Sequence, residues 1–141
     1  MTYEEWESTV PTQLTSDPLW TVKAYRLSLF LSDLAWEDAA KLLKHPLTRE
    51  TADQLYRATG RIGANFSEGY SRGTVASRVL FFEYALGSTR ESRDWYYRGR
   101  HVLGERVFMH RLDLTTEIIK LTLGIITKER RSKRGGGGNF K

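Results

Sequence analysis

Proline stands at only three positions, 11, 18 and 46, and none interrupts the stretch from Leu47 to the end of the chain. A proline inside a helix removes a backbone donor and clashes with the preceding turn, so its absence leaves this stretch open to long helices. Apolar residues recur there at spacings of three and four, the helical period. From about Thr48, Ala52, Leu55, Thr59, Ile62 and Phe66 form the seam of a left-handed helix pair. Gly60 and Gly63 lie within it, and each is expected to let another helix approach closely. A third helix, the longest, is predicted from Thr74 to Leu103, about 30 residues or ~45 Å. Val79, Phe82, Leu86, Thr89, Arg93, Tyr96 and Leu103 mark one face, and Phe81, Ala85, Ser88, Ser92 and Trp95 the adjacent one. Gly104 is a suitable stop. The fourth helix carries Val107, Leu114, Ile118, Leu121 and Ile125 and is expected to end near Glu129. The β-branched run from Ile118 to Thr127 also reads as a strand, but a lone strand has no partner in a helical chain.

Upstream, Ser16-Asp17-Pro18 predicts the first helix, because Ser16 or Asp17 can cap and Pro18 fits the first helical position. One stripe runs through Trp20, Ala24, Leu27, Leu31, Leu34 and Leu42. A second runs through Tyr25, Leu29, Trp36, Ala40 and Leu43, and Pro46 ends the helix after Lys44. Together they are wider than one bundle face requires, so part is expected to face another subunit. Four helices with short connections predict an all-α, antiparallel up-down-up-down four-helix bundle over residues 16–130. Residues 1–15 are expected to form an irregular arm with a short turn around Glu4 to Glu7.

Charge is unevenly placed. Residues 128–141 hold six basic side chains and one acid, which equals the whole net charge of +5, while the rest of the chain is balanced. Residues 131–141, with a run of four glycines, cannot bury apolar surface and are expected to be a disordered basic tail. It reads either as a contact for a polyanion or as a solubilising segment.

The 141 residues suit one domain with a core that needs no staples. The chain has no cysteine, which excludes disulfides, thiolate catalysis and cysteine-ligated zinc. No apolar run approaches a membrane span, and the acidic start lacks the pattern of a secretory signal. A cytoplasmic setting is expected. Histidines at 45, 101 and 110 form neither a Glu-x-x-His nor a His-Glu-x-x-His motif, and no phosphate-cradling Gly-x-x-x-x-Gly-Lys loop occurs. No metal, cofactor or catalytic residue is predicted, and the chain is not expected to be an enzyme.

The most specific segment runs from Leu55 to Glu91. It contains Arg57-Ala58, then Asn65-Phe66-Ser67-Glu68-Gly69-Tyr70-Ser71-Arg72, then Ala85-Leu86-Gly87-Ser88 with Glu91. It resembles the four-helix bundle proteins encoded in intervening sequences of bacterial 23S ribosomal RNA genes. Those carry an Arg-Ala step, an Asn-x-x-Glu-Gly turn followed by Arg, and a Gly-Ser-x-x-Glu step. Asn65, Glu68, Gly69, Arg72, Gly87, Ser88 and Glu91 match position by position. Departures are Gly60-Arg61-Ile62 where Ser-Ile is usual, and Phe66-Ser67 where Ile-Ala is typical. The accessory proteins of diversity-generating retroelements are similar in fold and in their basic end. The resemblance implies a homopentameric ring, RNA or DNA as a ligand, and a reverse transcriptase as a partner.

Read from the residues alone, that motif is mostly a packing and hydrogen-bond network. Asn65 and Glu68 share a helical face, and Glu68 is expected to accept from Arg57, Arg61 or the start of the third helix. The surface candidate is separate. Arg57 and Arg61 lie four apart, and Arg90, Arg93, Arg98, Arg100 and His101 crowd the end of the third helix among Trp95, Tyr96 and Tyr97. Arginine forks suit phosphates and aromatic faces suit bases. The tail adds Lys128, Arg130, Arg131, Lys133 and Arg134. A solvated face with locally paired charges is the competing reading.

Overall fold

The computed structural model describes the backbone of residues 1–136 and the side chains of residues 1–132. Two short helices, α1 (Tyr3–Glu7) and α2 (Thr12–Thr15), precede four long ones: α3 (Lys23–Leu43), α4 (Arg49–Tyr70), α5 (Val75–Leu103) and α6 (Glu105–Gly136). The described residues contain no strand. α3 packs on α4, α4 on α5, α5 on α6, and α6 closes on α3. This is the expected four-helix bundle, and Ile118 to Thr127 is helical.

The stripe of α4 behaves as its spacing demands, with Ala52, Leu55, Thr59, Ile62 and Phe66 all buried. Core positions also carry small hydroxyl residues. Thr89 donates to the Ala85 carbonyl at 2.8 Å, Ser92 to Ser88 at 2.8 Å and Thr122 to Ile118 at 2.6 Å. Each hydroxyl is satisfied within its own helix, so it is buried without an unpaired donor.

Glycine is required where helices touch. A Cβ on Gly63 would lie 3.1 Å from Leu29, and one on Gly69 would lie 2.7 Å from the buried Phe82 ring. Gly69 therefore sits inside the end of α4 as a packing residue, just before the turn that leads to α5. A Cβ on Gly60 would meet nothing within 4 Å, so the close approach expected there does not occur, and the same space is open at Gly87. Gly104 alone joins α5 to α6. Its φ of +86° lies in the region that disfavours a side chain, and it allows the reversal in one residue.

Three boundaries differ from expectation. Pro18 starts a 3₁₀ turn (Pro18–Thr21) capped by Asp17. The chain then extends at Val22, so α3 begins at Lys23. The turn expected around Glu4 to Glu7 is α1, and the arm about it is more ordered than expected. Thr2 and Glu5 cap α1 reciprocally, and the Trp6 indole is buried and donates to Asp33 Oδ2 at 2.6 Å. Trp6 packs with Tyr3, Trp20 and Phe30, which fixes the arm on α3. A five-residue helix carries too little periodicity to read, and its stability comes from this aromatic burial.

Finally, α6 continues past Glu129 to Gly136. Arg78 holds Glu129 at 3.3 Å in a largely buried pair, and Arg130 reaches Glu83 at 3.1 Å, so the last turns are tied to α5. Basic residues are also good helix formers and favour a helix C-terminus. The rest of the basic tail, with the side chains of Lys133 and Arg134, lies outside the described residues.

Candidate nucleic-acid interface

The helix order decides where the basic side chains go. Because α6 runs antiparallel to α5, its C-terminal charges meet the start of α5, as the contacts from Glu129 to Arg78 and from Arg130 to Glu83 record. Arg98, Arg100 and His101 stand at the other end of α5. The predicted interface is thus divided between two poles of the bundle.

Along the waist, Arg57 and Arg61 are paired. Arg57 donates to Asp53 at 3.1 Å, one turn earlier on α4. Arg61 reaches across to Glu91 on α5 at 3.0 Å, and Glu91 also accepts from the Trp95 indole at 3.0 Å. Glu68 is exposed and meets only Arg72, at 3.5 Å, so the expected acceptance from Arg57, Arg61 or α5 does not occur. Arg72 stands 4.7 Å over the Phe81 ring. Asn65 is half-buried, Ser88 is buried, and Arg90 is exposed beside half-buried Arg93. Of the motif, Gly69, Arg72 and Glu91 touch another helix, through Phe82, Phe81 and Arg61, whereas Glu68 pairs only with Arg72 and a Cβ on Gly87 would meet nothing. Lys128 and Arg131 are exposed at the tail pole.

The opposite pole holds a cleft. It lies between the turn joining α3 to α4 and the last turns of α5, encloses about 790 Å³, and is lined by His45, Leu47, Thr48, Thr51, Tyr97, Arg98, Arg100, His101 and Val102. The Arg100 guanidinium lies 3.9 Å from the centre of the Tyr97 ring and donates to the Tyr97 carbonyl at 2.8 Å. Phe108 of α6 meets the same ring at 6.1 Å and 63°. Tyr97 is 55% exposed yet held on two sides. His45 Nδ1 accepts from the Leu47 amide at 3.1 Å, which leaves Nε2–H to donate outward. Lys41, Lys44, Arg49 and Arg106 are exposed at this pole, with Glu50 and Glu105 as the opposing acids.

Behind the cleft lies a cluster that the spacing of residues does not announce. Asp38 on α3 is 1% exposed. Arg111 on α6 grips it with Nε at 2.7 Å and Nη2 at 3.1 Å, and the Tyr96 hydroxyl donates to it at 2.7 Å. Tyr96, a candidate for the surface beside Tyr97, is fully buried instead. The one signal for the cluster in the sequence is an acid inside the apolar stripe of α3, between Leu34 and Leu42. Burial, then the charge and hydrogen bond of Asp38, push the Tyr96 hydroxyl well above its ordinary pKa. Burial opposes the Arg111 charge, but the hydrogen bonds and charge of Asp38 outweigh it and raise its pKa. Burial and the neighbouring Arg111 lower that of His110.

Tyr96 gives a pH prediction. Its proton is bound more tightly in the folded state than in the unfolded state. The stability it contributes is complete below about pH 10, the ordinary tyrosine value, and is lost as pH rises from there toward the raised folded value. Absorbance titration of the seven tyrosines should therefore leave one unionised until the chain unfolds. Its ionisation together with the exposed ones would contradict the arrangement.

Among the described residues no group of three or more His, Asp or Glu could hold a metal ion, and no helix is long and apolar enough to cross a membrane.

The model of the 23S rRNA-intervening sequence protein family matches residues 21–124. The chain belongs to that family. The match spans the four long helices up to the last turns of α6, and it includes the whole of the sequence motif. A crystal structure of a protein of unknown function from the S23 ribosomal protein family of Bacteroides thetaiotaomicron VPI-5482 is similar, with a TM-score of 0.68 and 21% identity. The alignment covers 73% of this chain and 97% of that one. At that identity the likeness shows the fold alone. No curated protein matches the chain. This member of the 23S rRNA-intervening sequence protein family thus shares its bundle, while the arm and the end of α6 lie outside the matched residues.

Proposed function

We propose that this chain is a non-enzymatic, cytoplasmic homo-oligomer, a pentameric ring, that binds RNA or DNA through its basic poles. The observation that carries the binding reading is the cleft at the α5 C-terminus, where exposed cations and a held aromatic ring share one concave surface. Phosphate contacts supply most nucleic-acid affinity, and aromatic faces add base contacts. In a ring each pole repeats about the axis and the fields add. The family resemblance adds a reverse transcriptase as a protein partner for the assembled ring.

Self-association is supported by apolar surface left uncovered. Trp36 is 66% and Leu43 51% exposed, and with Tyr56 they line a groove of about 270 Å³ between α3 and α4. Leu80, Tyr84 and Leu123 are exposed on the opposite, α5–α6 side. Two different patches on opposite sides suit a head-to-tail contact, which closes into a ring when the rotation allows. Light scattering should give a multiple of the 16.3 kDa chain mass, five-fold for the pentamer, and Trp36→Glu should return it to 16.3 kDa with helicity unchanged. A wild-type monomer at micromolar concentration would overturn the ring. If the oligomer forms but binds no nucleic acid, the exposed groove favours the second reading, a protein-interaction scaffold.

A further inference from the structure

The cleft at the α5 C-terminus has a division of chemistry that the general binding reading does not use. Its wall on one side is the stacked pair of Tyr97 and Arg100, fixed by the guanidinium 3.9 Å from the ring centre and by the bond from Arg100 to the Tyr97 carbonyl. Arg98 is its other cation, and His101 and His45 stand beside it, the last with Nε2–H free to donate because Nδ1 accepts from the Leu47 amide. A second hollow of about 280 Å³ adjoins it, lined by Arg100, His101, Glu105 and Phe108. Glu105 there repels a phosphate but can accept from the amino group of a base. Anion-binding and base-binding surfaces therefore lie side by side.

We propose that this cleft takes an unpaired nucleotide of a single-stranded nucleic acid, with its base stacked on the Tyr97–Arg100 pair and its phosphate on Arg98 and His45. The inference rests on the nucleic-acid reading and narrows it to strands without a partner. A volume of this size lies in the range that encloses a small ligand. A paired base cannot enter, because its faces are covered by its neighbours and the major groove of an RNA helix is too deep and narrow for side chains. Stacking also needs a rigid aromatic, and Tyr97 is held by Arg100 on one side, by Phe108 at its edge and by its buried neighbour Tyr96 in the core. The contacts reach only base faces and phosphate, so strands of RNA and DNA share the chemistry.

The test is fluorescence anisotropy of the full chain with a labelled RNA strand of about 12 nucleotides, within the span of known single-strand sites, and with the same strand annealed to its complement. The wild type should bind the strand at least tenfold more tightly than the duplex. Tyr97→Ala should weaken strand binding by about tenfold to a hundredfold, the cost of one lost base stack, and leave the duplex within about twofold. Tyr97→Phe keeps the ring and should keep the preference. Tyr97 is exposed, so its truncation leaves the core intact. Binding of strand and duplex with equal affinity, or a Tyr97→Ala variant that retains the wild-type strand affinity, overturns this inference and leaves the general reading standing. Failure of both probes to bind overturns both.

Discussion

Replacing Arg111 with leucine is expected to lower the unfolding free energy by about 3–5 kcal/mol, because it leaves the Asp38 carboxylate buried with its counter-charge removed. Asp38 is almost inaccessible and accepts three hydrogen bonds, two of them from Arg111. The Tyr96 hydroxyl alone cannot replace a full positive charge. The cost belongs to the orphaned ion, so it should not add when Asp38 is removed as well. A double variant, Asp38→Leu with Arg111→Leu, should recover most of the loss, since apolar residues of similar size replace buried ion pairs at little cost. Urea unfolding followed by circular dichroism measures both. A loss under about 1 kcal/mol for Arg111→Leu would show that water reaches the pair and that it behaves as a surface contact. The cluster ties α3, α5 and α6 together at Tyr96, the residue before Tyr97.

The second large effect is on binding. The double reversal Arg98→Glu with Arg100→Glu should weaken RNA binding by about a hundredfold at low salt. It should also flatten the salt dependence by about 0.7, the one phosphate contact that Arg98 supplies to a single strand. Both residues line the cleft and make no ion pair within 4 Å among the described residues, Arg98 exposed and Arg100 set against the Tyr97 ring. Arg57 and Arg61 differ, since Asp53 and Glu91 already occupy them. Reversal of Arg57 should change affinity by less than about threefold, in keeping with an exposed pair that contributes little. Equal losses from the two sites would mean that only net charge matters and that the cleft is not a site.

Much of the bundle is legible in the sequence because it rests on local periodicity. The α4 stripe and the faces of α5 name their own burial, and the excess width of the α3 stripe appears as exposed Trp36 and Leu43. The pair of Asp53 and Arg57 is equally visible, being one turn apart. What needs the fold is any pairing between helices. Arg61 and Glu91 are thirty residues apart, and nothing local says that they meet. The same holds for the division of arginines between two poles, which follows from the antiparallel course of α5 and α6. Trp6 shows a different failure. One buried indole fixes the arm, and a single residue has no period. Gly69 looks like a turn residue, but the Phe82 ring above it explains it better.

The function proposed for the chain is binding of nucleic acid by its assembled form. The most direct test is the affinity of the full chain for a labelled RNA strand across a salt series, from about 50 to about 300 mM. Binding should be measurable, with a log affinity that falls linearly with log salt at a slope of about −0.7 for each phosphate contacted. No binding at the lowest salt, or an affinity that does not change with salt, would contradict it.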